Sequence, residues 1–108
     1  MTIIERLQTY LRQSAGQRYK AVIVPPFSLF FHPTDAFEHF NYAIPNEPTD
    51  GDLTASLTDL RRAFAENNRT PRFEFIAEFS PRLGIALEAA GFVHESNTML
   101  MVLSLIHI

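Results

Sequence analysis

Pro71–Phe92, reading PRFEFIAEFSPRLGIALEAAGF, decides the fold. Arg72, Glu74, Ile76 and Glu78 fall on one face of a two-residue period, and Phe73, Phe75, Ala77 and Phe79 on the other. That alternation predicts a strand with one strongly apolar side. Ser80 stops the strand and reads as an N-cap. Pro81 follows at the first helical position, where a missing N–H costs nothing and the fixed φ suits a helix. Leu83, Ala86, Leu87 and Ala90 recur at helical spacing. Gly91 supplies the left-handed residue that ends the helix, so that Phe92 folds back on Leu87. A strand, a capped helix and a return strand make a mixed α/β (α+β) core.

Upstream, Asp52 is placed to cap a second helix whose apolar stripe is Leu53, Leu57, Leu60 and Phe64, ending near Asn67 and Asn68. Thr2 and Glu5 stand at capping-box spacing before Ile4, Leu7 and Leu11, so the chain opens with a helix that Gly16 is expected to close. Lys20–Val24 and Phe27–Phe31 read as two strands joined at a rigid Pro25-Pro26 turn. Asn41–Ile44 alternates as an edge strand terminated by Pro45. Residues 46–51 form a surface loop. Beyond Phe92 the chain becomes continuously apolar from Met99 to Val102, which suits a central strand covered on both faces.

At 108 residues the chain has the size of one domain, with 46% hydrophobic and 19% charged residues, which excludes a disordered or fibrous chain. Ten phenylalanines and no tryptophan make the core Phe-rich. A formal charge of −3 lacks the basic excess of phosphate-backbone binders, so nucleic acid is not an expected partner. Five arginines between Arg61 and Arg82 read as solvated helix and turn surface, with a phosphate site as the alternative. The absence of cysteine excludes disulfides, thiolate nucleophiles and cysteine-ligated metals. With no secretory signal and no apolar run of the roughly 20 residues that span a bilayer, the expectation is a soluble cytoplasmic protein without a membrane partner.

Chemistry-bearing residues are sparse. His32, Asp35 and His39 form a His-x-x-Asp-x-x-x-His cluster with imidazole and carboxylate donors, but Pro33 keeps one regular element from presenting all three, and a polar turn is the expected reading. His94 and His107 gain no partner by spacing. Glu74 and Glu78 would stand about 13 Å apart on a strand, beyond the ~5 to 10 Å of cooperating carboxylate pairs. Glu74, between aromatic residues, is the carboxylate expected to hold an inward hydrogen bond or a raised pKa. No serine lies in a nucleophile elbow, and Gly16, Gly51, Gly84 and Gly91 are too dispersed for a phosphate-binding loop.

Val24-Pro-Pro-Phe27, His32-Pro-Thr-Asp35, Asn41-Tyr-Ala-Ile-Pro45, Thr70-Pro-Arg-Phe-Glu-Phe75, Leu87-Glu-Ala-Ala-Gly-Phe92 and Met99-Leu-Met-Val102 together resemble the leading segment of bacterial GNAT acetyltransferases, a degenerate half that precedes a complete acetyl-CoA-binding half. The resemblance spans about Ile4 to Val102. It implies a GNAT-like mixed, twisted sheet flanked by helices, in a single domain over residues 1–108. Such enzymes grip acetyl-CoA with Arg or Gln-x-x-Gly-x-Gly or Ala, whose backbone N–H groups meet the diphosphate at a helix N-terminus. The nearest approach, Arg82-Leu-Gly84-Ile-Ala86, has its glycine one residue too early.

The expectation is therefore a non-catalytic N-terminal half of an N-acetyltransferase that binds no cofactor itself, with acetyl-CoA held by the full-length enzyme. Glu74, Asn41 and Tyr42 are the candidate contributors to an acceptor cleft. The expected partner is a C-terminal acetyltransferase half or a second copy of the chain, since the apolar terminal run to Ile108 points to either a truncation or a dimer that completes the sheet. The alternatives are a stand-alone α/β interaction or small-ligand-binding module and, more remotely, a metal hydrolase built on the histidines.

Overall fold

The computed structural model describes residues 2–37, 40–97 and 100–105. Helix α1 (Ile3–Arg18) leads into strands β1 (Lys20–Val24), β2 (Phe27–Phe31) and β3 (Tyr42–Pro45). Helix α2 (Thr54–Glu66), strand β4 (Arg72–Ile76), helix α3 (Leu83–Ala89) and strands β5 (Phe92–Asn97) and β6 (Leu100–Leu105) follow. All six strands form one sheet in the order β1-β2-β3-β4-β6-β5. It is mixed. β3 and β4 run parallel, joined through α2, and every other neighbouring pair is antiparallel. Among the described residues, no helix is long and apolar enough to cross a membrane.

The core follows from the alternation of β2 and β4. Phe27, Leu29 and Phe31 share a face with Ala43, Phe73 and Phe75, and onto it pack Leu57, Leu60 and Phe64 of α2 with Leu83 and Leu87 of α3. Phe73 stands edge-on to Phe27 and Phe92, with centroids 5.1 and 5.3 Å apart, and Phe31 meets Phe64 in the same way at 5.1 Å. Each such pair adds about 0.5–1.5 kcal/mol beyond the area it buries. The opposite face is smaller, with Ala15, Phe30 and Ile44 packed beneath Leu11, Tyr19 and Tyr42. Helix α1 covers it.

Several local expectations hold, and others shift for identifiable reasons. Thr2 caps α1 by accepting from Glu5 N–H at 3.1 Å. Gly16 does not close that helix. It continues to Arg18, and a Cβ on Gly16 would meet only the Phe30 ring edge, at 3.8 Å. The stripe on α1 is displaced too: Leu7 is exposed, whereas Gln8 is buried. The N-cap of α2 is Leu53, which makes no side-chain capping bond, and Asp52 before it accepts from Thr54 N–H and Oγ1. β3 is an interior strand between β2 and β4, not an edge.

The deciding stretch is also shorter as a strand than its pattern predicts. β4 ends at Ile76, and Ala77–Phe79 form a 3₁₀ turn, so Glu78 leaves the strand. Ser80 does not cap α3, which begins at Leu83. Its hydroxyl instead accepts from Thr49 N–H at 2.9 Å and lies 3.0 Å from Thr49 Oγ1, pinning the loop after β3. Of the terminal apolar run, the described Leu100–Leu105 is paired on both sides, because β6 lies between β4 and β5. The edges of the sheet are β1 and β5, and Met99 and His107 lie outside the described residues.

Gly91 takes φ +98° directly after α3, as the helix-ending role requires. Gly91→Val is expected to cost about 1 kcal/mol or more, because a β-branched residue is strained at positive φ. Thermal melting checks this, and an unchanged Tm would refute the role.

Candidate functional site

The polar chemistry of the fold gathers on the α1 side of β3, β4 and β5. Arg72, 4% exposed, points to this face by strand alternation and meets two carboxylates. Its Nη1 pairs with Glu74, two residues along the same strand, and its Nε donates to Glu95 Oε2 at 2.8 Å. Glu95 reaches Arg72 because the β5–β6 register shifts between His94 and Ser96, leaving it as the extra residue of a bulge. The buried guanidinium is paired and planar, the arrangement that makes a buried cation tolerable. Both carboxylates stay partly open to solvent.

Tyr42 borders this cluster. It is half-buried, with its ring near Phe30 and edge-on to Tyr19 at 5.9 Å. Burial pushes its phenol up to about 12, and the charge of Glu74 and the neighbouring Tyr19 add to the rise, against Arg18 and Arg72. Tyr42 is therefore a neutral hydrogen-bond donor throughout the physiological range, not a phenolate base. Glu74 and Tyr42 are thus brought together. Glu74's partner is Arg72, which gives it the structural ion pair that its aromatic flanks left unspecified.

Asn41 lies away from this patch. Fully buried ahead of β3, its Oδ1 accepts from His32 N–H at 2.8 Å and Arg69 Nε at 2.9 Å. Its Nδ2 donates to the carbonyls of Asp35 at 3.0 Å and Phe37 at 2.7 Å. The bonds to His32, Asp35 and Phe37 hold the β2–β3 connection together, and the one from Arg69 ties it to the connection before β4. His32 and Asp35 are engaged in the same connection: His32 Nδ1 accepts from the N–H groups of Thr34 and Asp35, and Asp35 Oδ1 from that of Phe37. His39 lies outside the described residues. Among the described residues, no three His, Asp or Glu side chains are grouped to hold a metal ion.

The reading of the arginines as solvated surface holds for Arg61, Arg62 and Arg82, which are exposed, and fails for the buried Arg72 and the partly buried Arg69. Arg69 also donates to His32 O and Asn67 O, and Arg61 reaches the Ala90 carbonyl from above the Phe92 ring. Arg82 pairs with Asp50 and Arg62 with Asp59 at the surface. The connection from β3 to α2, residues 46–53, carries Glu47, Asp50 and Asp52. Thr49 N–H donates to Ser80 Oγ, and Thr54 N–H at the start of α2 donates to Asp52, whose carboxyl is lowered by its Thr54 bonds. An open cleft of about 430 Å³ lies between α2 and α3, walled by Leu53, Leu57, Thr58, Arg61, Ala86 and Ala89.

Sequence reasoning missed Glu95 and the pairing of His94 with Glu88. A bulge leaves no periodic signal, and Glu88 and His94 approach only because β5 folds back past α3.

No protein-family model matches the chain, and no curated protein does. Among solved structures it is similar to a GCN5-related N-acetyltransferase from Kribbella flavida, with a TM-score of 0.76 and 24% identity over 89% of this chain. The fold is therefore GNAT-like. The chain spans only 38% of the length of that protein.

The folded chain holds the Tyr42 proton to about pH 12, while an unfolded tyrosine releases it near 10. Between those values the unfolded state binds fewer protons, so stability falls as pH rises. Tyr42→Phe is expected to flatten the decline of Tm across this window. An equal slope in both proteins would contradict the placement of that phenol.

Proposed function

We propose that this chain is the non-catalytic N-terminal half of a GNAT-type acyl-CoA-dependent N-acetyltransferase, acting as a structural scaffold and as one wall of an acceptor cleft. The observation that carries this reading is the chemistry of the connection after β3. In a mixed sheet of this kind a diphosphate would be gripped by free N–H groups where a strand hands over to a helix. Here that handover carries Glu47, Asp50 and Asp52, and the Asp52 carboxylate occupies the Thr54 N–H. Fixed negative charge opposes a diphosphate, and Asp52 occupies one of the donors that would meet it. The residues present do not fit the phosphate end of acetyl-CoA, and catalysis belongs to another segment.

In this reading the wall is the Tyr42, Glu74, Arg72 and Glu95 face. Tyr42 donates a hydrogen bond, and the partly open carboxylates favour a cationic acceptor such as an amine. The partner is a C-terminal acetyltransferase half or a second copy of the chain, and the setting is the cytoplasm. A small-ligand-binding module is the second reading, favoured by the open cleft between α2 and α3.

Isothermal titration of the purified chain with acetyl-CoA separates a scaffold from a cofactor-binding domain. No detectable heat is expected. Micromolar binding would overturn the proposal.

A further inference from the structure

His32 stands before Pro33, and a residue before proline is biased toward extended geometry, from which its side chain can lean over the backbone that follows. The imidazole does this with one atom. Its Nδ1 accepts from Asp35 N–H at 2.9 Å and from Thr34 N–H at 3.2 Å. Two donors aimed at one ring nitrogen fix its state: Nδ1 offers a lone pair and carries no proton, so the ring is neutral with its proton on Nε2. Ring contacts hold this orientation, with centroid separations of 6.0 Å to Tyr19 and 5.8 Å to Phe40.

The turn closed by this nitrogen supports a larger set of bonds. Asp35 O and Phe37 O accept from Asn41 Nδ2, and Asn41 Oδ1 accepts from His32 N–H and Arg69 Nε. Arg69 Nη2 returns to His32 O at 3.0 Å. The buried Asn41 thus leans on the Asp35 peptide, whose N–H is on the imidazole, and it leads directly into Tyr42 of β3. Protonation turns Nδ1 from acceptor to donor and sets an N–H against two others.

We propose that His32 is an acid-released latch on the β2–β3 connection: the neutral ring closes the turn, and the imidazolium opens it and loosens Asn41 ahead of Tyr42. Among the described residues, the charged and titratable groups against this turn are Arg69, bonded to the His32 carbonyl, Asp35, whose carboxylate accepts from Phe37 N–H, and Tyr19. None of them restores a lone pair to a protonated Nδ1. The latch goes beyond the acetyltransferase reading and stands without it, because its test involves neither acetyl-CoA nor a partner.

Nitrogen-15 NMR of the full chain, titrated from about pH 8 to about pH 5, where imidazoles gain their charge, tests the latch. At the upper end the His32 ring is expected in its Nε2–H form, with a scalar coupling between Asp35 N and His32 Nδ1 carried through the hydrogen bond. As the ring is protonated, that coupling is expected to vanish. The Thr34 and Asp35 amide peaks and the Asn41 side-chain amide are expected to move with the same midpoint as the ring. His32→Asn keeps a side-chain oxygen for the turn and does not titrate, so these peaks are expected to stay in place in that variant. Equal movement in His32→Asn, a wild-type coupling that survives protonation of the ring, or an Nδ1–H ring at the upper end would each overturn the proposal. Should His32→Asn fail to fold, loss or survival of the wild-type coupling decides.

Discussion

Pro45 imposes the constraint around which the rest of the structure is arranged. It sits where β3 must hydrogen-bond with β4, and it has no N–H to offer. Among the described residues the two strands are the only parallel neighbours, and Ala43 and Phe73 are their one registered pair. What joins them beyond that point comes from α1. Gln8 bridges Pro45 O and Ile76 N–H, and Arg12, one turn further along, donates to Asn46 O at 3.2 Å. Ser28 Oγ adds a hydrogen bond of 2.6 Å to Asn46 Oδ1. A helix from the start of the chain thus closes a junction made much later in sequence.

This arrangement divides the labour between the two faces of the sheet. The phenylalanine face, under α2 and α3, supplies the apolar burial. The α1 face carries the polar groups, closed at the strand junction and more open toward Tyr42, Glu74 and Glu95. The buried Arg72 is central to the open part. Removing it would strand two carboxylates, whereas the surface pair of Arg82 with Asp50 adds little.

Much of the architecture was legible in the sequence because it rests on short periodic signals. The Phe73/Phe75 alternation, the Leu57/Leu60/Phe64 stripe and the Thr2 cap each appear where local physics puts them. Reading failed where tertiary contacts override pattern. Phe79 and Glu78 continue the β4 alternation in sequence, yet the chain turns at Ala77 to bring Ser80 onto Thr49. Leu7 fits the apolar stripe of α1, but Gln8 is the residue buried, since its value lies in two backbone partners far away in sequence. At the candidate site, Tyr42 and Glu74 could be singled out from their strands. Arg72 as the hub was hidden by its exposed-looking type, and Glu95 by a bulge.

The chain's own carboxamide seals the β3–β4 junction. Hydrogen exchange followed by NMR on the wild-type chain tests it most directly. The Gln8 side-chain amide protons and the Ile76 N–H should exchange far more slowly than the side-chain amides of the exposed Gln13 and Gln17. Exchange of the Gln8 amide at the rate of those two glutamines, or an unprotected Ile76 N–H, would contradict the account.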